Sequence, residues 1–99
     1  MYRHGRMFRS ELLVLRALKT ELPVSRFGFT VRAALGNAVV RNRLKRRLRA
    51  AVRSLSITKG WDVVVNTRLG AQAARYQELR ATLGKLMEKA GLLEGPFEN

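Results

Sequence analysis

Cysteine is absent from the 99 residues, which excludes disulfides and thiolate metal sites and fits a reducing compartment. There is one histidine, His4, with no cysteine and no neighbouring acid to complete a metal site. Long apolar runs are missing as well. The longest are stretches such as residues 12–15 and 63–65, whereas a membrane-spanning helix needs about 20 residues. The basic start, MYRHGRMFRS, lacks the apolar segment of a secretory signal. These absences predict a cytoplasmic protein. Acids are scarce too: seven Asp and Glu face 20 Lys and Arg, a formal charge of +13. Paired carboxylates for hydrolysis are lacking, as is an acid cluster to hold catalytic Mg2+. That speaks against a self-sufficient protein nuclease.

The shortage of acid is sharpest in the middle of the chain. From Leu22 to Trp61 there is none. The same span holds the bases Arg26, Arg32, Arg41, Arg43, Lys45, Arg46, Arg47, Arg49, Arg53 and Lys59. Repulsion on this scale destabilises a compact chain unless a polyanion relieves it. Arginine outnumbers lysine, and its planar fork suits phosphates and base edges better than a point charge does. Nucleic acid is the first candidate partner and an anionic membrane surface the second.

With 46% hydrophobic residues, a chain of this length supports one domain with one modest core. No repeat or boundary divides residues 1–99. Residues 10–18, SELLVLRAL, read as a strand, with a short helix compatible with the pattern alone. Residues 25–32, SRFGFTVR, alternate Phe27, Phe29 and Val31 with Arg26, Gly28, Thr30 and Arg32, the period of a half-buried strand. Gly28 leaves a bare spot on that strand's second face, open to a close approach. Gly36-Asn37 breaks the pattern, and Asn37 is a good N-cap. Val40, Leu44, Leu48, Ala51, Val52 and Leu55 then fill one arc of a helix of about 120°. Residues 61–68, WDVVVNTR, are a β-branched strand, and Leu69-Gly70 turns the chain. A second helix spans about 74–90 with Tyr76, Leu79, Leu83, Leu86, Met87 and Ala90 inward, stopped by Gly91. Residues 94–99 read as a disordered tail. The order strand, strand, helix, strand, helix predicts an α+β sandwich, a small mixed sheet with amphipathic helices packed on it. Residues 25–68 are long enough for a parallel crossover.

On the first helix, Asn42, Lys45, Arg46, Arg49 and Arg53 lie opposite the apolar arc, with Arg43 on the flank. Asn42, Arg46, Arg49 and Arg53 form one stripe about three turns long. A solvated face normally mixes signs in Glu–Lys pairs, and this one has none. A membrane-surface helix would favour Trp or Phe on its apolar face, where this one has Leu and Val. Asn42, set between Arg41 and Arg43, is placed to bond a base edge, a sugar hydroxyl or a phosphate. Asp62, the lone acid of the middle, is expected to pair with a helix arginine or hold a turn. Phe8 fits either a core or a surface position.

Gly28-Phe29-Thr30-Val31, followed by Gly36-Asn37-Ala38-Val39-Val40-Arg41-Asn42-Arg43-Leu44-Lys45-Arg46, resembles the signature of the bacterial ribonuclease P protein subunit. The likeness continues through Trp61-Asp62-Val63-Val64-Val65 and back to Tyr2-Arg3-His4-Gly5-Arg6. It implies a ribosomal-protein-S5-domain-2-like fold with a left-handed βαβ crossover, where base rates alone favour a right-handed one. It implies a protein that binds a catalytic RNA and the 5′ leader of precursor tRNA, assisting Mg2+-dependent removal of that leader. The RNA of such a complex carries the chemistry and the bulk of the Mg2+, and the resemblance implies one protein per RNA.

By motif match, Arg41, Asn42, Arg43, Lys45, Arg46 and Arg49 take the catalytic-RNA contacts, with Arg53 continuing the same stripe. The family's leader cleft lies between the exposed sheet face and an N-terminal helix. Tyr2, Arg16, Thr30 and Arg32 are the matching leader candidates. The sequence departs from the family in three places. The sequence reads as starting near the end of the helix that usually precedes the Tyr2-Arg3-His4-Gly5 position. Arg16 stands where an aromatic is common and is suited to a phosphate. Arg32-Ala33-Ala34 replaces a Ser-Lys-Lys type segment. The competing reading is a non-catalytic RNA-binding protein, such as a ribosomal protein of similar fold. Such a protein would share the charge but not the signature run.

Overall fold

The computed structural model describes residues 5–95. Four strands form one sheet: β1 (Arg6–Arg9), β2 (Leu13–Lys19), β3 (Arg26–Thr30) and β4 (Trp61–Thr67). Helix α1 (Ala38–Arg53) connects β3 to β4, and α2 (Tyr76–Lys89) follows β4. Short 3-10 turns, Ala33–Leu35 and Ala71–Ala73, precede the two helices. The strand order is β1-β2-β4-β3, antiparallel except for the parallel pair β3–β4. The architecture is the expected mixed sheet with two helices, extended by one strand that the sequence reading left unassigned. Four residues, RMFR, carry too little periodicity to announce β1. Pairing with β2 makes it: Phe8 stands opposite Leu15 and packs against the core.

Alternation divides the sheet cleanly. Leu13, Leu15 and Ala17 of β2 and Val63, Val65 and Thr67 of β4 point to the helices and are buried. Phe27 and Phe29 face the same way, half-buried at the edge. Leu79, Leu83, Leu86 and Met87 of α2 close the core from the helical side. The apolar arc of α1 contributes Leu44, Leu48 and Ala51. This arc shares one buried cluster with the inner face of the sheet, and the closest backbone neighbours of α1 are α2 and the two 3-10 turns. A fully buried leucine contributes about 1.5–3 kcal/mol. A like-charge i,i+4 pair costs only a few tenths. Two buried leucines therefore hold α1 in place despite its charge.

Polar side chains tie the connections. Ser10 Oγ accepts the Leu13 amide at 3.0 Å, and Arg68 Nη1 donates to the Ser10 carbonyl at 2.8 Å. Ser25 Oγ donates to the Thr58 carbonyl at 2.7 Å and accepts the Trp61 amide at 3.1 Å. Buried Thr67 donates to the Thr30 carbonyl at 2.9 Å, joining the ends of β4 and β3. The α1–β4 connection is clasped by the segment after α2. Thr58 donates its amide to Leu92 O at 2.7 Å, and Glu94 donates its own to Ser56 O at 2.8 Å. Residues 96–99 of the expected tail lie outside the described residues.

Candidate RNA interface

The signature run owes its shape to its first two residues. Gly36 has φ +146°, and a Cβ there would meet Val40. The side chain of Asn37 accepts the Val40 amide at 3.0 Å, the N-cap expected from the sequence. No acid occupies the first turn of α1. The positive end of the helix dipole thus adds to the arginines that follow it.

The basic side chains of α1 divide into two groups. Asn42, Arg43, Arg46, Arg49 and Arg53 are exposed. Lys45 is half-buried beside them. Arg41 is half-buried as well, and its Nε donates to the Gly36 carbonyl at 3.1 Å. Arg41 therefore braces the helix start. Arg47 turns inward: Nη2 donates to Gln72 O at 3.0 Å, and its buried Nε has no hydrogen-bond partner among the described residues. Gln72 in turn accepts the Gly70 amide through Oε1 at 2.9 Å. One arginine of the cluster thus clamps α1 to the turn before α2. Within RNRLKRRLR, the only hint of this is the position of Arg47, next to Leu48 on the helix.

A second surface lies on the side of the sheet away from the helices. The strand register arranges it in cross-strand rows. Met7, Arg16, Val64 and Gly28 form the central row. On one side lie Arg9, Val14, Asn66 and Thr30, and on the other Leu18, Asp62 and Arg26. A concavity of about 650 Å³ opens here, lined by Met7, Arg16, Leu18, Asp62, Val64 and Asn66 among others. A Cβ at Gly28 would meet nothing within 4 Å, so the expected bare spot is open. Arg16 projects from the second strand of the sheet and is exposed. Thr30 ends β3 and is exposed, and exposed Arg32 precedes the first 3-10 turn. Arg16 and Thr30 share this face in adjacent rows, with β4 between their strands. Tyr2, the remaining leader candidate, lies outside the described residues.

Asp62 differs from its expected role. It pairs with a strand arginine, not a helix one: Arg26 Nε meets Oδ1 at 2.8 Å and Nη2 meets Oδ2 at 2.6 Å. The parallel register sets Arg26 opposite Asp62. Hydrogen bonding by the Arg26 fork holds the carboxyl below its usual range, against a small opposing effect of burial and with the aid of charge attraction. The sequence offered one signal for this pair, the isolation of its acid.

The description "Ribonuclease P" belongs to the family model that matches residues 1–91. The chain belongs to the ribonuclease P protein family. The ribonuclease P protein component of Roseiflexus castenholzii is 42% identical over 96 residues, covering 94% of this chain and 79% of the relative. That of Symbiobacterium thermophilum is 41% identical over 97 residues, covering 95% and 84%. The Thermotoga maritima ribonuclease P protein structure superposes with a TM-score of 0.80 at 29% identity, covering 95% of this chain and 88% of that one. The Staphylococcus aureus ribonuclease P protein gives 0.81 at 26%, covering 94% and 87%.

As a ribonuclease P protein component, the chain is a subunit of a tRNA-processing endoribonuclease and a partner of the ribonuclease P RNA. The alternative of a ribosomal protein is not favoured. No group of three or more His, Cys, Asp or Glu able to hold a metal ion occurs among the described residues. Asp62, the acid nearest both surfaces in sequence, is engaged by Arg26. These side chains do not fit a Mg2+ site. No described helix is long and apolar enough to cross a membrane.

Proposed function

We propose that the chain binds the catalytic RNA through α1 and the 5′ leader of precursor tRNA through the outer sheet face, in a 1:1 cytoplasmic complex. The observation that carries this reading is the exposed stripe Asn42, Arg43, Arg46, Arg49 and Arg53, which no acid neutralises among the described residues. Exposed arginines without acidic partners are suited to phosphates, which they engage through two parallel hydrogen bonds. Lys45 and Arg41 lie on the margin of the same surface. Asn42 adds a neutral donor and acceptor for a base edge or a ribose hydroxyl. On the other surface, Arg16, Thr30 and Arg32 offer charge and a hydroxyl to a single strand lying across apolar Met7 and Val64.

In this reading the RNA performs the cleavage and holds the Mg2+. The protein contributes binding and charge neutralisation, lowering the cation concentration that the assembled RNA requires. The test is reconstitution with a bacterial ribonuclease P RNA and a precursor tRNA at low Mg2+. Added protein is expected to stimulate leader removal well above RNA alone. Equal rates with and without protein would overturn the proposal.

A further inference from the structure

The Arg26–Asp62 pair stands out because stability does not account for it. Its side chains are 64% and 29% exposed, and exposed ion pairs contribute little to folding. Asp62 is the only acid between Glu21 and Glu78, in a chain whose other surface features favour polyanions. An acid there weakens phosphate binding nearby, and its position is specific. It lines the outer-face concavity, beside Leu18 and diagonal to Arg16 across the β2–β4 register. Diagonal neighbours in a sheet lie about 7–8 Å apart, within the reach of one nucleotide.

The chemistry of the two positions differs. Arg16 has no hydrogen-bond or ion-pair partner among the described residues. Its guanidinium is available to a phosphate. Asp62 is held in one orientation by the two-pronged contact with Arg26. A carboxylate has about four lone-pair sites, and the Arg26 fork takes two. The others remain for a donor in the concavity. A phosphate is repelled at that point. A base amino group is not: cytosine N4, adenine N6 and guanine N2 donate, whereas uracil has no amino group and its single N3–H sits between two acceptor oxygens that a carboxylate repels.

We infer that Asp62 is a specificity-determining residue for single-stranded RNA on the outer sheet face, accepting a base amino group while Arg16 takes a neighbouring phosphate. Arg26 acts as its positioning residue. The inference rests on the reading that this face holds the leader. It fixes which part of a nucleotide sits at each end of the concavity, and it favours the amino-bearing bases cytosine, adenine and guanine over uracil at one leader position.

The experiment uses holoenzyme reconstituted with a bacterial ribonuclease P RNA. Precursor tRNAs carry leaders in which each position in turn is cytosine, adenine, guanine or uracil, and kcat/KM is compared by internal competition. A leaderless control measures the protein-dependent effect of the leader itself. Wild-type protein is expected to prefer the amino-bearing bases over uracil at one position by about tenfold, the scale of one hydrogen bond to a charged group. Asp62→Asn is expected to bring that ratio near unity, because an amide also donates to O4 of uracil. Its side chain lies on the surface, and circular dichroism checks that the fold persists. A leader effect with no base preference, or a preference that survives Asp62→Asn, would overturn the inference while leaving the outer face as the leader surface. Absence of any protein-dependent leader effect would remove that reading and the inference together.

Discussion

Gly36 lies against Val40 so closely that a Cβ at residue 36 would stand 2.8 Å from the Val40 Cγ1. Its φ of +146° is also one that side-chain-bearing residues rarely adopt. Both constraints act at the entry to α1, where Asn37 caps the helix. Gly36→Ala is expected to lower stability by about 1–3 kcal/mol, measured by urea denaturation. Gly28→Ala provides the contrast. Nothing lies within 4 Å of a Cβ there, and the backbone is an ordinary strand. Its effect is expected within about 0.5 kcal/mol. Equal losses at both positions would show that the constraint on Gly36 is not local.

The main elements were legible because their periods are long and clean. Asn37 as cap, Leu44 and Leu48 as inward residues, and Phe27 and Phe29 on one face of β3 all follow from alternation or from i, i+4 spacing. The signature run identified the family from residues at the end of β3, in the turn before α1 and along the first half of that helix. What stayed hidden depends on partners distant in sequence. β1 exists through Phe8 and Leu15 meeting across the hairpin. Arg47 and Arg46 are adjacent and chemically alike, yet one bonds Gln72 O, 25 positions away, and the other is exposed. Arg26 and Asp62 are 36 positions apart and meet only through parallel pairing.

That pair gives stability a specific pH dependence. The Asp62 carboxyl is held below its usual value of 3.8 by the hydrogen bonds from Arg26. A group whose folded pKa is depressed stabilises the native state above its unfolded pKa and loses that contribution as pH falls through the folded value. Arg26 is shifted upward from the ordinary arginine value by the same contact, so its contribution is lost only in strong alkali, outside the working range. Wild-type protein should therefore lose stability relative to Asp62→Asn as pH drops from near 4 into stronger acid, with the two curves parallel above it. The amplitude should be small, because the pair is exposed. Urea midpoints of both proteins in chloride buffer at constant ionic strength provide the check. Curves that stay parallel throughout would mean the pair is open in solution.

The last prediction separates two neighbouring arginines. Arg46 is exposed on the stripe, and Arg47 is committed to Gln72 O. If about six cations of α1 displace counterions from RNA, log affinity should fall against log salt with a slope of order −4 to −6. Removing one phosphate contact should reduce that slope by roughly one unit. Arg46→Ala is therefore expected to weaken catalytic-RNA binding by about 1–3 kcal/mol and to flatten the slope, with little change in urea stability. Arg47→Ala should do the reverse. It leaves the Gln72 carbonyl without that donor and opens space beside α1, so stability should fall by about 1–3 kcal/mol. Its salt slope should match wild type under conditions where the variant is folded. Filter-binding titrations over a range of chloride concentrations, paired with urea curves, read both quantities. A flattened slope for Arg47→Ala would place its guanidinium on RNA in the complex. That would require its contact with Gln72 to break on binding, so the α1 clamp would be a feature of the free protein alone.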